Sequence, residues 1–297
     1  NNTALGYYAL AAATSATANT AVGSMAGRSI TTGTNNSSFG YQALYTNTTG
    51  ASNTALGYHA LYSNTTGTQN TGLGYRAGVN ITTGSNNAAV GQSALASLTG
   101  GSSNVAVGYF AAVSMAGNSS FNTCVGQSAG SNLSTSNSTA IGYNALLGTV
   151  GSSTGINNTG VGSEALKAIT TGGNNTAVGY KALTANTTGL RNVGIGYQAG
   201  DSITTGEDNV CIGYIAGNTL TTGGQLVAVG TEAGRIATAG SNVFVGSKAG
   251  RDTTNAWGLT YVGPDAGRAA TGFHQTLIGA SAGYNATGGQ NTCIGYQ

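Results

Sequence analysis

Residues 53–67 read NTALGYHALYSNTTG and contain the unit from which nearly the whole chain is built. The step from an apolar residue to glycine, here Leu56-Gly57, occurs 18 times, with Gly at positions 6, 23, 40, 57, 74, 91, 108, 126, 142, 162, 179, 196, 213, 230, 246, 263, 279 and 295. Eleven of the 17 intervals between successive glycines equal 17, and the others are 16, 18 or 20. Such a fixed period indicates stacked repeats with a shared core.

A period of about 17 residues is shorter than that of helical-hairpin repeats, about 33 to 47 residues, or of leucine-rich repeats, about 20 to 29 residues. It suits one coil of a parallel β-solenoid, in which coils stack about 4.8 Å apart. We therefore predict an all-β parallel β-solenoid of about 18 coils, each with two short strands and two turns. Residues 1–297 are interpreted as one solenoid repeat domain, and we expect a fragment of a longer fibre protein because the chain begins without Met and stops within a repeat.

Aligning the copies on their glycine, taken as position 0, separates inner from outer residues. Position −1 is apolar in every copy, and position +3 is Ala in all 17 copies that reach it. In an extended strand these two positions share a face, so we predict that both point into the coil.

The opposite face would carry the glycine and the small residue at position −2. We predict that the glycines form a subunit-packing strip, because glycine in a strand marks close approach of another backbone: Gly57, Gly74, Gly91, Gly108, Gly179 and Gly196. The alternative is that each glycine supplies a positive φ within its own coil.

Two polar columns flank the strand. Asn occupies position −4 in 14 of 18 copies, and stacked Asn side chains can hydrogen-bond along the solenoid. The other corner reads Thr-Thr-Gly in many copies and predicts an exposed threonine ladder: Thr32, Thr49, Thr66, Thr83, Thr171, Thr188, Thr205 and Thr222.

Composition excludes several classes of function. Charged residues make up 5% of the chain and the net charge is +2, which predicts no binding to nucleic acid. No apolar run is long enough for a membrane span, so we expect no membrane insertion. Hydrophobic residues make up 39% of the chain at regular spacing, which predicts an ordered structure and not a disordered one.

The sequence offers little for catalysis. Cys124, Cys211 and Cys293 all fall at position −2, too far apart for a disulfide, and are interpreted as small packed residues. His59 and His274 fall at positions expected to be exposed, and no acidic residue precedes Glu164. We predict no enzyme activity, catalytic residue, metal or cofactor. A polysaccharide-cleaving solenoid is the enzymatic alternative, but it would need clustered carboxylates, and residues 201–208 with Glu232 supply a sparse set.

Tyr occupies position +1 in 10 of 18 copies, as at Tyr58. Such a column suits packing at a corner or against a neighbouring subunit, with the hydroxyl in water. Stacking against carbohydrate is the alternative role for these rings.

The repeat NTAVGYKALTANTTG, residues 175–189, resembles the head repeats of YadA-type trimeric adhesins, and more closely repeats in the shafts of phage tail fibres. The resemblance covers essentially the whole chain. It implies a left-handed β-roll, a homotrimer of three chains side by side, and an extracellular location on a virion or cell surface. The adhesin-head unit is shorter than the repeat of this chain, and this chain shows no helical stalk.

The leading hypothesis is therefore a structural and adhesive shaft or head segment that attaches to a host-surface carbohydrate or protein receptor. The alternative is an ice-binding β-solenoid, because exposed threonines at coil spacing on a nearly uncharged surface could match ice. The Thr pairs are interrupted around residues 100–160 and after residue 223, which favours the adhesive hypothesis.

Overall fold

The computed structural model describes residues 1–115, 117–254 and 256–296. Within them the chain is all-β, a parallel β-solenoid with one strand of three residues in each coil. It divides into two compact units, Asn1–Ser153 and Thr154–Gln297. The predicted fold class is therefore confirmed.

The first unit contains nine of the described strands: β1 (Thr3–Leu5), β2 (Thr20–Val22), β3 (Ser37–Phe39), β4 (Thr54–Leu56), β5 (Thr71–Leu73), β6 (Ala88–Val90), β7 (Val105–Val107), β8 (Thr123–Val125) and β9 (Thr139–Ile141). The second unit contains the other nine: β10 (Thr159–Val161), β11 (Thr176–Val178), β12 (Val193–Ile195), β13 (Val210–Ile212), β14 (Val227–Val229), β15 (Val243–Val245), β16 (Thr260–Val262), β17 (Thr276–Ile278) and β18 (Thr292–Ile294).

The register follows the sequence period. In the pairing of β4 with β5, Thr54 lies beside Thr71 and Leu56 beside Leu73, so each residue is paired with its equivalent one repeat later. Because paired strands place equivalent positions of successive repeats side by side, each column of the alignment forms a continuous stripe or ladder in each unit.

Each coil has one strand and not the two predicted. After the strand the backbone takes positive φ at alternate positions, as at Gly57 (137°), His59 (55°) and Leu61 (50°). Left-handed residues at alternate positions cannot continue a pleated strand. The remainder of the coil is therefore built from turns, held to the next coil by backbone hydrogen bonds such as Leu61 N–H to Ala77 O at 2.9 Å.

The assignment of the strand faces from sequence was half wrong. Ala60 at position +3 is fully buried, as predicted, but Leu56 at position −1 is 53% exposed and Ala55 at position −2 is fully buried. The prediction assumed that alternation continues through Gly57. The positive φ at Gly57 and His59 turns the chain between Leu56 and Ala60, so these two residues lie on different faces.

The interior contains the predicted asparagine ladder. The side-chain oxygen of Asn36 accepts hydrogen bonds from the backbone N–H and the side-chain amide of Asn53, at 2.9 and 3.1 Å. The Asn53 amide also donates to the Gly67 carbonyl at 2.9 Å, and Asn53 is fully buried. A buried amide satisfied in this way costs little to desolvate and ties each strand to its neighbouring turn.

Large and small residues compensate for each other in the core, so the interior stays filled although the residue at one position varies between coils. Position +4 is Leu in some coils and Gly in others, as at Leu61 and Gly78. A Cβ on Gly78 would lie 2.8 Å from Cδ2 of Leu61, and a Cβ on Gly72 would lie 2.8 Å from its Cγ. Leu61 thus occupies space that the next coil leaves open with two glycines, which accounts for glycine at position +4 in that coil.

Candidate functional site

An exposed apolar stripe runs along each unit on the outer face of the strands. It is formed by the residues at position −1, which are half-buried or exposed. Eleven of them have an exposed fraction between 36% and 76%: Leu5, Phe39, Leu56, Val107, Ile141, Val178, Ile195, Val245, Val262, Ile278 and Ile294. An extended patch of this kind on a protein surface marks a site of association. Sequence reasoning missed this apolar stripe because it placed position −1 inside the coil.

The predicted packing strip lies beside the apolar stripe. Its six glycines are half-buried. A Cβ on Gly57 would lie 2.5 Å from the carbonyl oxygen of Gly74. Stacking of coils within one chain, together with positive φ, therefore explains why this column is glycine. A subunit contact at the strip stays a prediction, and the small residues at position −2 expected to share it are inside.

Tyrosines at position +1 form a stacked ladder next to the glycines. The ring centres of Tyr41 and Tyr58 are 5.4 Å apart, as are those of Tyr58 and Tyr75, with interplanar angles of 16° and 12°. Tyr180, Tyr197 and Tyr214 stack in the same way in the second unit. Each stacked ring covers the face of its neighbour, so the ladder presents ring edges and hydroxyls. This geometry favours packing over carbohydrate stacking at these rings.

All eight threonines of the predicted ladder are exposed. In seven of the eight pairs the preceding threonine uses its hydroxyl to join coils, as Thr48 Oγ1 donates to the Thr65 carbonyl at 3.1 Å. The exposed row is therefore one residue wide, with Thr32, Thr49, Thr66 and Thr83 in consecutive coils of the first unit.

The cysteines are structural. Cys124 and Cys211 are fully buried free thiols, and burial raises the pKa of each to about 12. Cys293 is a free thiol that is half-buried. A buried thiol with so high a pKa is an unreactive packing residue, which confirms the interpretation for the first two.

The two histidines lie in different surroundings. His274 is exposed, whereas His59 is half-buried, stacked on Tyr58 with ring centres 4.0 Å apart. The His59 Nε2 atom lies 2.7 Å from Gln42 Oε1. Burial, and secondarily the charge of Arg76, lowers the pKa of His59 below its ordinary value. The expectation that His59 is exposed was therefore correct only in part.

Most carboxylates of the second unit are paired with cations. Arg191 forms a two-pronged contact with Asp208, Nε to Oδ1 at 2.6 Å and Nη2 to Oδ2 at 3.0 Å, and reaches Glu207 at 2.9 Å. The hydrogen bond from Arg191 lowers the pKa of Asp208. Glu232 lies 2.6 Å from Arg251. The pairs of Arg191 are exposed, where an ion pair contributes little to stability, whereas the pair of Glu232 with Arg251 is half-buried.

Among residues 1–115, 117–254 and 256–296, no three His, Cys, Asp or Glu side chains come together in a group that could hold a metal ion. The same residues contain no helix long and apolar enough to cross a membrane. Comparison with protein-family models, with curated proteins and with solved structures finds no match to this chain.

Proposed function

We propose that the chain is a structural and adhesive segment of a homotrimeric surface fibre, a phage tail-fibre shaft or an adhesin head, that attaches to a host surface. The observation that carries this proposal is the exposed apolar stripe. Large apolar side chains such as Leu56 and Ile195 repeat along each unit on an outer face that lacks a covering element among the described residues. Association of several chains would remove this surface from water.

The interior supports a mechanical role. In many coils, hydrogen bonds tie the coil to the next one at the strand, at the asparagine corner and at the threonine corner, as in the coils of Asn53 and Thr65. Repeats that contact only their neighbours in this way are suited to extended surfaces for binding. The proposal places the protein outside the cell, on a virion or cell surface, without a catalytic role or a cofactor.

Measurement of the mass in solution tests the proposal. A trimer of chains of 29.0 kDa would have a mass of about 87 kDa by light scattering. A chain that remains a monomer at micromolar concentration, and that binds neither cells nor extracted surface polysaccharide, would refute it.

Ice binding is the second candidate, and the exposed row Thr32, Thr49, Thr66 and Thr83 favours it. These four threonines recur once in each repeat, in coils joined rung by rung. The test is thermal hysteresis of the intact chain and of the double variant Thr49→Tyr plus Thr66→Tyr. Activity that the double variant abolishes would establish ice binding over adhesion, whereas the absence of hysteresis would exclude it.

A further inference from the structure

A cavity of about 340 Å³ lies on the first two coils, lined by Tyr8, Ala11, Ala12, Arg28 and Ser29. Tyr8 and Arg28 are exposed and Ser29 is half-buried, so the cavity is open to solvent. Its volume is at the lower end of the range of about 300 to 1,000 Å³ for small-molecule sites. It is therefore sized for one compact ring.

The guanidinium of Arg28 is held in place by aromatic side chains. Its Nη1 atom donates a hydrogen bond to the Tyr45 hydroxyl, and its Cζ atom lies 5.5 Å from the centre of the Tyr45 ring and 5.7 Å from that of Tyr8. These distances fall within the range of cation–π contacts. Since Nη1 is engaged, the Nε and Nη2 edge of the guanidinium stays available for an anion that accepts two hydrogen bonds.

Arg28 also has no acidic partner to neutralise it. The first acidic residue of the chain is Glu164, so Asn1–Ser153 contains no carboxylate side chain at all. By contrast, Arg191 and Arg251 in the second unit form ion pairs with Asp208 and Glu232. The first unit thus holds the guanidinium of Arg28 in place but supplies no negative side chain to neutralise its charge.

The rest of the lining suits a sugar. Ala11 and Ala12 contribute methyl groups, Tyr8 an aromatic ring that is 52% exposed, and Ser29 a hydroxyl. Unlike the stacked rings of Tyr41, Tyr58 and Tyr75, the ring of Tyr8 meets that of Tyr7 edge-on, with ring centres 4.3 Å apart and an interplanar angle of 78°. A pyranose has an apolar C–H face for the ring and methyl groups, and hydroxyls for Ser29.

We propose that this cavity, the Arg28 pocket, binds the carboxylate of an acidic sugar. The carboxylate accepts two hydrogen bonds from the Nε and Nη2 edge of Arg28, and the pyranose ring lies over Ala11 and Ala12 against Tyr8. The inference deepens the proposed attachment function, on which it rests, by naming the class of host glycan.

The test is a saturation-transfer NMR titration of the intact chain with methyl β-D-glucuronide, sialyllactose, methyl β-D-glucoside and benzoate. We expect both acidic sugars to bind, and the neutral glucoside to bind at least about tenfold more weakly because it lacks the charge-assisted hydrogen bonds. Benzoate that binds as tightly as the glucuronide would overturn the sugar assignment. Absence of binding by both acidic sugars would overturn the whole inference.

Paired variants locate the site. Arg28→Gln should weaken glucuronide binding at least about tenfold, whereas Arg76→Gln, which removes the same charge from the same unit, should leave it unchanged. Tyr8→Ser should weaken binding, and the neighbouring Tyr7→Ser should not. Ser occurs natively at the repeat positions of both tyrosines, for example Ser93 and Ser24, so these variants are compatible with the fold.

Equal losses in Arg28→Gln and Arg76→Gln would show that only net charge matters and would refute the pocket. The proposed function is tested separately by the mass in solution and by attachment of the wild-type chain to cells. A trimer that attaches to cells equally well with Arg28→Gln would contradict the Arg28 pocket and leave the attachment function standing.

Discussion

The ring of Phe244 fills the space above Gly250 in the same coil: a Cβ on Gly250 would lie 2.5 Å from the ring atom Cδ1. Phe244 is fully buried at position −2, where eight of the 18 copies have Ala, and Gly250 stands at position +4, where many coils have Leu. Elsewhere these positions hold Ala55 and Leu61, both fully buried, and Leu61 fills space beside Gly72 and Gly78 of the next coil. Phe244 and Gly250 thus share one interior volume within their coil.

This relationship predicts strong coupling between the two positions. Phe244→Ala should cost about 3 to 5 kcal/mol through the cavity that it leaves, and Gly250→Leu about 1 to 3 kcal/mol through overpacking. Because the Phe244 ring occupies the space that a side chain at position 250 would need, its removal relieves the overpacking, so the free energy of unfolding of the double variant should lie above the additive expectation by about 0.5 to 3 kcal/mol. Additive losses in urea unfolding would show that the positions are independent.

The asparagine ladder should dominate the stability of its corner. Asn87 accepts from the backbone and the side chain of Asn104 and donates to the Gly101 carbonyl, with each distance between 2.9 and 3.0 Å. Asn87→Ser should lower the free energy of unfolding by about 2 to 3 kcal/mol through the lost buried hydrogen bonds.

The adjacent Asn86 provides the matched control, because it is exposed and its φ is 60°. Ser stands natively in both columns, at Ser103 and Ser138, so neither variant introduces a residue foreign to the repeat. Asn86→Ser should change the free energy of unfolding by less than about 0.5 kcal/mol. Similar effects of the two variants would contradict a structural role for the ladder.

Thiol reactivity should separate the three cysteines. With a pKa of about 12, only about 1 in 10,000 of the Cys124 or Cys211 thiols is ionised at pH 8, and both are fully buried. Cys293 is half-buried. Under native conditions we expect iodoacetamide to label Cys293 first, and the other two only after denaturation, as measured by peptide mass spectrometry. Rapid native labelling of Cys124 would contradict the buried position of its column.

His59 should titrate below its ordinary pKa of 6.5, because burial and Arg76 disfavour the charged ring. The depressed folded-state pKa means that His59 stabilises the fold above pH 6.5 and that this contribution is lost as the pH falls through the folded-state value. NMR titration of the imidazole checks the shift. Arg76→Gln should raise the pKa of His59 only in part, since burial is the larger cause. Arg28→Gln should leave it unchanged, and an equal response to both would assign the effect to net charge.

The apolar stripe should control assembly. Leu56→Lys and Ile195→Lys place charges on exposed positions of β4 and β12, so they should barely change the stability of a single chain. In a fibre of the proposed kind they would bury unpaired charges and reduce the mass to that of one chain. Thr49→Lys and Thr188→Lys, on the exposed threonine row, are the controls. A trimer that survives both stripe variants would place the interface elsewhere.

Much of the interior could be predicted from the alignment of the repeats. Ala60 is buried as expected, and Asn53 is buried as its ladder of hydrogen bonds requires, because in a solenoid each column repeats one environment. The positions that failed are those where an extended strand was assumed to continue. Leu56 faces outward and Ala55 inward, the reverse of the prediction, because the strand ends at Leu56 and the second strand of the coil does not form.

The apolar stripe and the Arg28 pocket were beyond sequence reasoning for related reasons. An aliphatic column is the usual mark of a core, so nothing in the sequence separates an inner stripe from an outer one. The pocket arises where Ala11 leaves a gap beside Arg28 and Tyr8, which lie in successive coils. Only the placement of neighbouring coils brings such residues to one cavity.

The repeat alone dictates the architecture and the register, because a nearly constant period brings identical side chains together in only one way, with each coil over the next. Which columns face inward was settled by the folded chain. That choice depends on the sign of φ at Gly57, His59 and Leu61, and two of these residues are not glycine. A left-handed backbone costs such residues about 1 to 2 kcal/mol locally, and burial of Leu61 with the hydrogen bonds to the next coil offsets that cost only when the coils are stacked.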